Sequence, residues 1–394
     1  MATLQEGTNS GTPGTEYNIP FAYLRAFIVV LVILHHAACA YLPWIVPESP
    51  ASSFVGHMQS VHAISPVNDP HRSVILLILV SFNDKFFMSL MFFLSGLFVW
   101  KSLQRKGGRS FLKDRALRLV IPFLVMAGLG PLTYYTTYLH VGGTGGFWNQ
   151  WTSLKDWPDG PAWFISVLLA FDIVIVLLPI SAVRVLSPLR DRASRFFGRP
   201  ALLFVFLIVV SAAAYLPMTA LFDPLWDWWT WGPLKVQTSR IFLYLVYFAT
   251  GTVLGGIGVD RTCLTPDSPL AQRWIVWALA ALFIFLGTFL IPPRASQALK
   301  GIAYTVSCAA SCLAFLAVFL RFARRRRPRF DSLSANSYGM FVIHYAVVAW
   351  LLYAALAVEL PALAKGSLVF VCATSICWII VGIFRRVPVI ARVI

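Results

Sequence analysis

Apolar segments of spanning length alternate with polar ones along almost the whole chain. About 20 apolar residues cross the hydrocarbon core of a bilayer, and ten segments are long enough. They lie near residues 21–42, 76–100, 116–138, 162–183, 201–219, 239–258, 274–291, 301–320, 337–357 and 367–384. The pattern predicts an all-α integral membrane protein of about ten transmembrane helices. We expect a disordered polar tail (1–20), a ten-helix membrane domain (21–386) and a short basic tail (387–394).

The basic residues predict how these helices are oriented. Of the 32 Lys and Arg residues, 24 fall in alternate segments that include both termini, and 6 fall in the segments between them. Because Lys and Arg favour the cytoplasmic side, both termini are predicted to be cytoplasmic. The net charge of +16 then reflects topology in the lipid bilayer, and no nucleic-acid partner is expected. The Cys and His residues show no metal-ligand spacing, so no metal site is predicted.

The first apolar segment carries ionisable residues, which are costly at membrane depth and are candidates for function. Arg25 and His36 are 11 positions apart, so they share one face of a helix with a rise of about 16 Å between them. His35 is turned about 100° away. A cation near one surface and an imidazole deeper on the same face suggest a site that is reached through the membrane.

The second apolar segment is interrupted by Asn83, Asp84 and Lys85. In one interpretation the helix passes through this trio and brings Asp84 near the depth of His36. In the other, the helix starts at Lys85 and the trio lies among the lipid headgroups. The residues alone leave both open.

Tryptophan collects in the segments predicted to face outward. These residues are Trp44, Trp148, Trp151, Trp157, Trp163, Trp226, Trp228, Trp229 and Trp231. They form either an interfacial aromatic belt or flat surfaces for a polar, ring-shaped ligand such as a sugar. On the predicted inner side, Arg115 and Arg118 lie three residues apart on one helix face. They either determine topology and contact anionic lipid or hold a phosphate group.

Four motifs in chain order resemble the acyltransferase-3 family of membrane-bound bacterial acyltransferases. They are Arg25 with His36 as Arg-X10-His, Phe92 to Gly96 as a shortened Phe-Phe-x-x-Ser-Gly, Phe111 to Arg118 as a basic loop, and Ser337 to Tyr345 as a Ser-Tyr-Gly signature ending in Ile-His. One departure is at Trp163 to Leu169, where many O-antigen acetylases of the family have acidic residues. The segment resembles the branch that contains glucan succinyltransferases.

The resemblance implies a membrane-bound O-acyltransferase of the bacterial inner membrane. Its co-substrate would be cytoplasmic acetyl- or succinyl-CoA, with no permanently bound cofactor, and its acceptor a hydroxyl of an extracytoplasmic carbohydrate. The resemblance and the residue pattern together predict catalytic roles for His36 and Asp84, donor-binding roles for Arg25, Arg115, Arg118, Ser95 and His344, and acceptor-binding roles for Trp163, Trp228, Trp229 and Lys85. Asp172 is the other acid considered as a partner for His36, and His344 is equally compatible with a cross-helix hydrogen bond. Direct transfer and a covalent acyl-histidine both stay open.

The alternative class is a secondary transporter or exporter of a polar or sugar-like molecule. Ten spans, an intramembrane histidine and an aromatic outer surface are compatible with it. Transporters often contain repeated halves, whereas the second half of this chain has no counterpart to the segment around Arg25 and His36.

Overall fold

The structure is a computed structural model that describes residues 18–43, 53–59, 64–177, 190–225, 227–231 and 234–394. Three sequence predictions fall outside these residues. They are most of the polar tail (1–17), the end of the fourth predicted span (178–183), and Trp44 and Trp226.

Helices make up nearly all of the described regular structure, which confirms the predicted all-α class. The α-helices are α1 Ile19–Cys39, α2 Phe54–Gln59, α3 Val74–Gly96, α4 Val99–Lys106, α5 Gly108–His140, α6 Phe147–Thr152, α7 Trp163–Leu177, α8 Arg190–Phe197, α9 Pro200–Leu221, α10 Ile241–Ile257, α11 Pro269–Gln272, α12 Trp274–Thr288, α13 Gln297–Phe322, α14 Pro328–Ala355, α15 Ala362–Phe384 and α16 Pro388–Ala391. Single 3-10 turns lie at Gly160–Ala162, Thr238–Arg240 and Val259–Arg261. An antiparallel hairpin pairs β1 Trp228–Trp231 with β2 Leu234–Gln237.

Nine helical segments of the described chain are long and apolar enough to cross a bilayer. The remaining predicted span, 274–291, contains α12, a shorter apolar helix of 15 residues. At about 1.5 Å per residue it extends for about 22 Å, less than the roughly 30 Å of a hydrocarbon core. The backbone leaves the α conformation at Arg273 before it, and Pro292 and Pro293 follow it.

Helix α3 decides between the two interpretations of the Asn83–Lys85 trio. The helix begins at Val74, where the Ser73 hydroxyl caps it by accepting from the amide of Leu76 at 3.3 Å, and it continues to Gly96. The trio therefore lies inside the helix, and Asn83 is only 2% exposed. Asp84 is thus held about 15 Å along the helix from its start.

Glycines set the separation of α3 and α10. A Cβ atom added to Gly96 would lie 2.2 Å from the carbonyl oxygen of Phe248, and one added to Gly251 would lie 2.2 Å from that of Phe93. At Gly255 the corresponding distance to the Leu97 carbonyl is 2.1 Å. Small residues spaced four apart allow such close backbone contact between membrane helices. The crossing holds the polar middle of α3 against the start of α10.

The bundle has two ends that differ in charge. At the basic end, where α1, α5 and α14 begin, the hydroxyl of Tyr23 donates to Asp331 at 2.8 Å and that of Tyr338 donates to the Arg118 carbonyl. The opposite end, which we call the loop end, carries the hairpin and the segments 64–73 and 141–162.

A buried ion pair fixes segment 64–73 at the loop end. Lys365 and Asp69, both 2% exposed, are 2.8 Å apart, and the ring Nδ1 of His71 lies 2.9 Å from the same carboxylate. Burial alone would raise the pKa of Asp69, but the hydrogen bonds from Lys365 and His71 outweigh it, and the pKa is lowered. The carboxylate therefore anchors this segment to α15.

Candidate active site

A cavity of about 1030 Å³ opens among the segments of the loop end. It is large enough for a ligand of several sugar-sized units, since ligand pockets commonly measure about 300–1,000 Å³. Its wall combines aromatic, cationic, acidic and imidazole side chains from helices, hairpin and loops, among them His35, His36, Asp84, Lys85, Tyr134, Asp159, Trp163, Trp228, Lys235, Arg240, Tyr244 and Tyr345.

His36 lies on the wall of this cavity, in the half of α1 nearer the loop end. Its ring centroid is 4.9 Å from that of Tyr345 in an edge-on arrangement and 5.2 Å from that of His344. Its Nδ1 has no hydrogen-bond partner within the described residues. Because buried polar atoms are normally paired, the unpartnered nitrogen marks His36 as a candidate functional residue.

His344 is placed beside His36 and not at the basic end. It is fully buried, and its Nδ1 is 2.6 Å from the Phe341 carbonyl oxygen. Since a carbonyl only accepts, Nδ1 carries the proton and Nε2 keeps its lone pair. This hydrogen bond lies within α14 itself, and Nε2 has no partner in the described residues. The structure therefore shows no cross-helix hydrogen bond of His344 there, and its donor-binding role stays a prediction.

The two acids considered as partners of His36 are both paired with arginines. The carboxylate of Asp84 accepts from both terminal nitrogens of Arg240, at 2.6 and 2.8 Å. The side chain of Asp172 is completely buried and lies 3.2 Å from the Nε of Arg115. Asp84 does line the cavity, but the contact that positions it is with Arg240, so a catalytic role next to His36 stays a prediction.

Arg240 is a cavity residue that the sequence analysis missed. It is 3% exposed, and its guanidinium lies 4.9 Å from the ring centroid of Tyr304. The Tyr304 hydroxyl donates to the backbone carbonyl of Asp84 at 2.9 Å. A signal existed, because Arg240 is a cation at the start of an apolar span that is predicted to begin on the outer side, where Lys and Arg are scarce.

Lys85, predicted to bind the acceptor, also lines the cavity. Its ammonium group lies 4.9 Å from the centroid of the same Tyr304 ring. Since Asp84 is engaged by Arg240 with both oxygens, Lys85 adds a positive charge that this pair does not neutralise. The part of the cavity wall formed by Asp84, Lys85 and Arg240, which we call the deep wall, therefore carries a net positive charge.

The hairpin divides its tryptophans between the cavity and the exterior. Successive strand residues point to opposite faces, so Trp228 and Thr230 line the cavity together with their partners Gln237 and Lys235. Trp229 is 52% exposed on the other face. Trp229 therefore faces away from the cavity, which does not agree with its predicted acceptor-binding role.

Trp163 extends the aromatic wall. Its ring stacks on Tyr244 with centroids 5.7 Å apart and meets Trp228 edge-on at 6.0 Å. Trp151, by contrast, is 6% exposed in a small aromatic core with Phe54, Tyr134 and Phe147. The tryptophans of this end therefore include wall, core and surface residues.

The predicted donor-binding residues other than His344 lie away from the cavity. Arg25 and Arg118 are exposed, and the Ser95 hydroxyl donates to the Met91 carbonyl of its own helix at 2.8 Å. Along α1, Val29 and Val32 separate Arg25 from His36 and are 2% and 3% exposed. Val32 lines the cavity and Arg25 does not, so the shared face is packed at Val29 in this structure.

The family follows from comparison with known proteins. The model of an acyltransferase domain, that of the acyltransferase-3 family, matches residues 21–382, nearly the whole chain. The chain belongs to the acyltransferase-3 family. Searches of curated proteins and of solved structures gave no match. The protein is therefore a multi-pass membrane acyltransferase.

Membership of the acyltransferase-3 family confirms the resemblance found in the motifs. In space, the first and last motifs meet at His36, His344 and Tyr345. The basic-loop motif stays at the other end, where its Arg115 is held by Asp172. The ending of α3 supplies Gly96 for the helix crossing.

The sequence analysis of this acyltransferase gave no site role to Asp159 or to its neighbours Tyr134 and Tyr345. Asp159 is 8% exposed and lines the cavity. Burial raises its pKa to about 7, although the positive charge of Lys235 opposes the shift. An aspartate in a Gly/Pro-rich loop gives no periodic signal, so only the fold could reveal its burial.

Metal ligation has no support in the described residues. No group of three or more His, Cys, Asp or Glu in that part of the chain is placed to hold an ion. The chemistry available at the cavity is that of imidazole, carboxyl, phenol and cationic groups.

Proposed function

We propose that this acyltransferase moves an acyl group from cytoplasmic acyl-CoA to a hydroxyl of an extracytoplasmic carbohydrate. The observation that carries the proposal is the position of His36 on the wall of a polar and aromatic cavity of about 1030 Å³. In this proposal the basic end faces the cytoplasm of a bacterial inner membrane, an orientation that the positive-inside distribution of Lys and Arg favours. The cavity then opens toward the outside, where a carbohydrate acceptor is found.

In this proposal His36 is the general base. It takes the proton of the acceptor hydroxyl as that oxygen attacks the thioester carbonyl. The carbon–sulfur bond breaks, and the proton on His36 passes to the leaving thiolate, which gives an ester and free CoA. The unpartnered Nδ1 of His36 supports this role, because an imidazole nitrogen with a free lone pair can accept the proton.

The donor is proposed to bind at the basic end. Arg25, Arg115 and Arg118 offer guanidinium groups for the coenzyme's phosphates, and Asp172 orients Arg115. Because Val29 is packed between Arg25 and His36, the acyl arm must displace side chains around α1 to reach the imidazole. Donor binding is therefore expected to open this region.

The acceptor is proposed to bind against Trp163 and Trp228, whose flat faces suit a sugar ring. Lys85 gives the deep wall a positive charge, which favours a donor whose acyl group carries a carboxylate, such as succinyl. Lys85→Met is expected to lower the preference for succinyl-CoA over acetyl-CoA. Equal use of the two donors before and after this change would contradict that assignment.

Mass analysis of surface glycans tests the proposed function. Cells that lack the protein are complemented with the wild type or with His36→Ala, and membrane levels of the two proteins are matched. We expect an added acyl mass on a glycan only with the wild type. Identical glycan masses in all three strains would contradict the proposal, and flux of a polar solute without acylation would favour the transporter class.

A further inference from the structure

Asp159 presents a buried carboxyl to the same cavity as His36. Its side chain is 8% exposed, and its Oδ2 atom has no hydrogen-bond partner within the described residues. A buried polar atom without a partner costs free energy. Such an atom on a cavity wall is readily explained if a ligand supplies the missing hydrogen bond.

The backbone holds this carboxyl close to the tyrosines around His36. Gly160, the next residue, has φ of +51°, and a Cβ added to it would lie 2.9 Å from ring atoms of Tyr345. The Tyr345 ring lies 4.9 Å from that of His36, and its centroid lies 6.1 Å from that of Tyr134. Only glycine allows the turn to press against Tyr345 in this way.

The opposite wall carries groups suited to a polyhydroxylated ring. The Lys235 ammonium lies 5.6 Å from the centroid of the Trp228 ring, and its charge acts on Asp159. The carboxyl thus shares one cavity with a cationic and aromatic strand face and with the Tyr345–His36 pair. Apolar faces and a few convergent polar groups are the usual composition of a ligand site.

We propose that Asp159 binds a hydroxyl group of the acceptor and thereby selects polyhydroxylated molecules over simple alcohols. This inference rests on the proposed function. A sugar offers several hydroxyls, so one can bind Asp159 while another is presented to His36. Asp159 is therefore an acceptor-binding residue, and His36 remains the group that handles the proton.

Asp159→Asn tests the proposal, with Asp156→Asn as the matched control. Asp156 lies three residues earlier in the same loop and also lines the cavity, but it is exposed. The acceptor is the glycan fraction extracted from cells that lack the protein, and the donors are acetyl-CoA and succinyl-CoA. We expect Asp159→Asn to raise the apparent KM for the glycan fraction about tenfold, with the donor KM unchanged, and Asp156→Asn to leave both near wild type.

The pH dependence gives a second readout. Below a pKa of about 7 the Asp159 side chain is neutral, and above it the side chain is a carboxylate, which accepts hydrogen bonds more strongly. The wild-type acceptor KM should therefore fall between pH 6 and pH 8, and Asp159→Asn should remove that change. The other titratable and charged groups of the cavity around Asp159 are His36 on α1, His57 on α2, Tyr134 on α5, Tyr345 on α14, Lys235 on β2, and Lys155 and Asp156 on its own loop. All of them except Asp156 stay in Asp159→Asn, so their contribution would persist in that variant, and the Asp156→Asn profile measures the contribution of Asp156.

Three results would overturn the inference. An unchanged acceptor KM in Asp159→Asn would contradict it, and so would a fall in kcat at unchanged acceptor KM, which would indicate proton transfer. If the wild type does not acylate the glycan fraction, the proposed function itself fails, and that result is seen before any variant is compared. Should Asp159→Asn not accumulate in membranes, Asp159→Glu replaces it, and the same rise in acceptor KM is expected.

Discussion

The two ends of the bundle hold their candidate residues in different ways. At the loop end, His36, Arg240 and Asp159 come from a helix, a helix start and a loop, and all lie on one cavity wall. At the basic end, Arg25 and Arg118 are exposed, and Arg115 is tied to the buried acid Asp172. Groups that are already desolvated and positioned stabilise a transition state more than groups ordered by the substrate. We therefore expect the larger effects of substitution at the loop end.

Replacement of His36 should have the largest effect. Loss of a general base typically costs about 10²–10⁴-fold in rate, so we expect His36→Ala to lower kcat by that order. His35→Ala is the matched control, because His35 also lines the cavity but packs on Phe87 with ring centroids 5.0 Å apart. Acyl transfer by purified proteins measures both, and equal losses would contradict the assignment to His36.

Substitutions in the Asp84–Arg240 pair should have the second-largest effect, and they should act by lowering the stability of the protein. The side chain of Arg240 is 4% exposed, whereas that of Asp84 is 32% exposed on the cavity wall. Asp84→Asn leaves the buried arginine without its partner, which costs up to about 3–5 kcal/mol, so this variant should lower the Tm in detergent strongly. Asp84→Asn together with Arg240→Gln should lower the Tm less than the sum of the single changes. Strict additivity of the two changes would show that the ion pair is not what holds α3 to α10 here.

At the basic end, substitutions should change only the KM for the acyl donor. The change should be smaller than the loss of kcat in His36→Ala. A hydrogen bond to a charged group contributes about 1.5–3 kcal/mol, so Arg115→Ala should raise the KM for acyl-CoA at least about tenfold. Asp172→Asn should raise it less, since it only releases Arg115. Arg109→Ala, at the exposed start of the same helix, is the control, and a donor KM that responds equally to all three would argue for general electrostatics.

Substitutions in the hairpin should have the smallest effect on the acceptor KM. They should also separate two neighbouring tryptophans that lie on opposite strand faces. Contact with an aromatic ring contributes about 0.5–1.5 kcal/mol beyond its buried area, so Trp228→Ala should raise the acceptor KM several-fold. Trp229→Ala, on the opposite strand face, should leave it unchanged. Titration of the extracted glycan fraction measures both, and a larger effect at Trp229 would place the acceptor on the outer face.

The sequence predicted the parts of this protein that depend on local pattern. Apolar length predicted the membrane helices, and helical spacing picked out His36, because both follow from residues close together in the chain. The same reasoning placed Arg25 on the face of His36 but could not foresee that Val29 would be packed between them.

What the sequence could not predict arises from contacts between distant segments. Asp84 and Arg240 are 156 residues apart in the chain, and nothing local pairs them. Asp159 becomes a buried cavity residue only when Gly160 meets Tyr345. Trp228 and Trp229 are neighbours of the same type, and only the strand register separates their faces.

Transport of the acyl group from one face of the membrane to the other is the central claim, and it can be measured in sealed vesicles of a single protein orientation. Labelled acyl-CoA is supplied to either face, and the glycan fraction is placed on the face of the loop end. We predict labelled glycan only when the donor is on the face of the basic end, and none with His36→Ala. Labelling that requires the donor on the same face as the glycan would contradict the account.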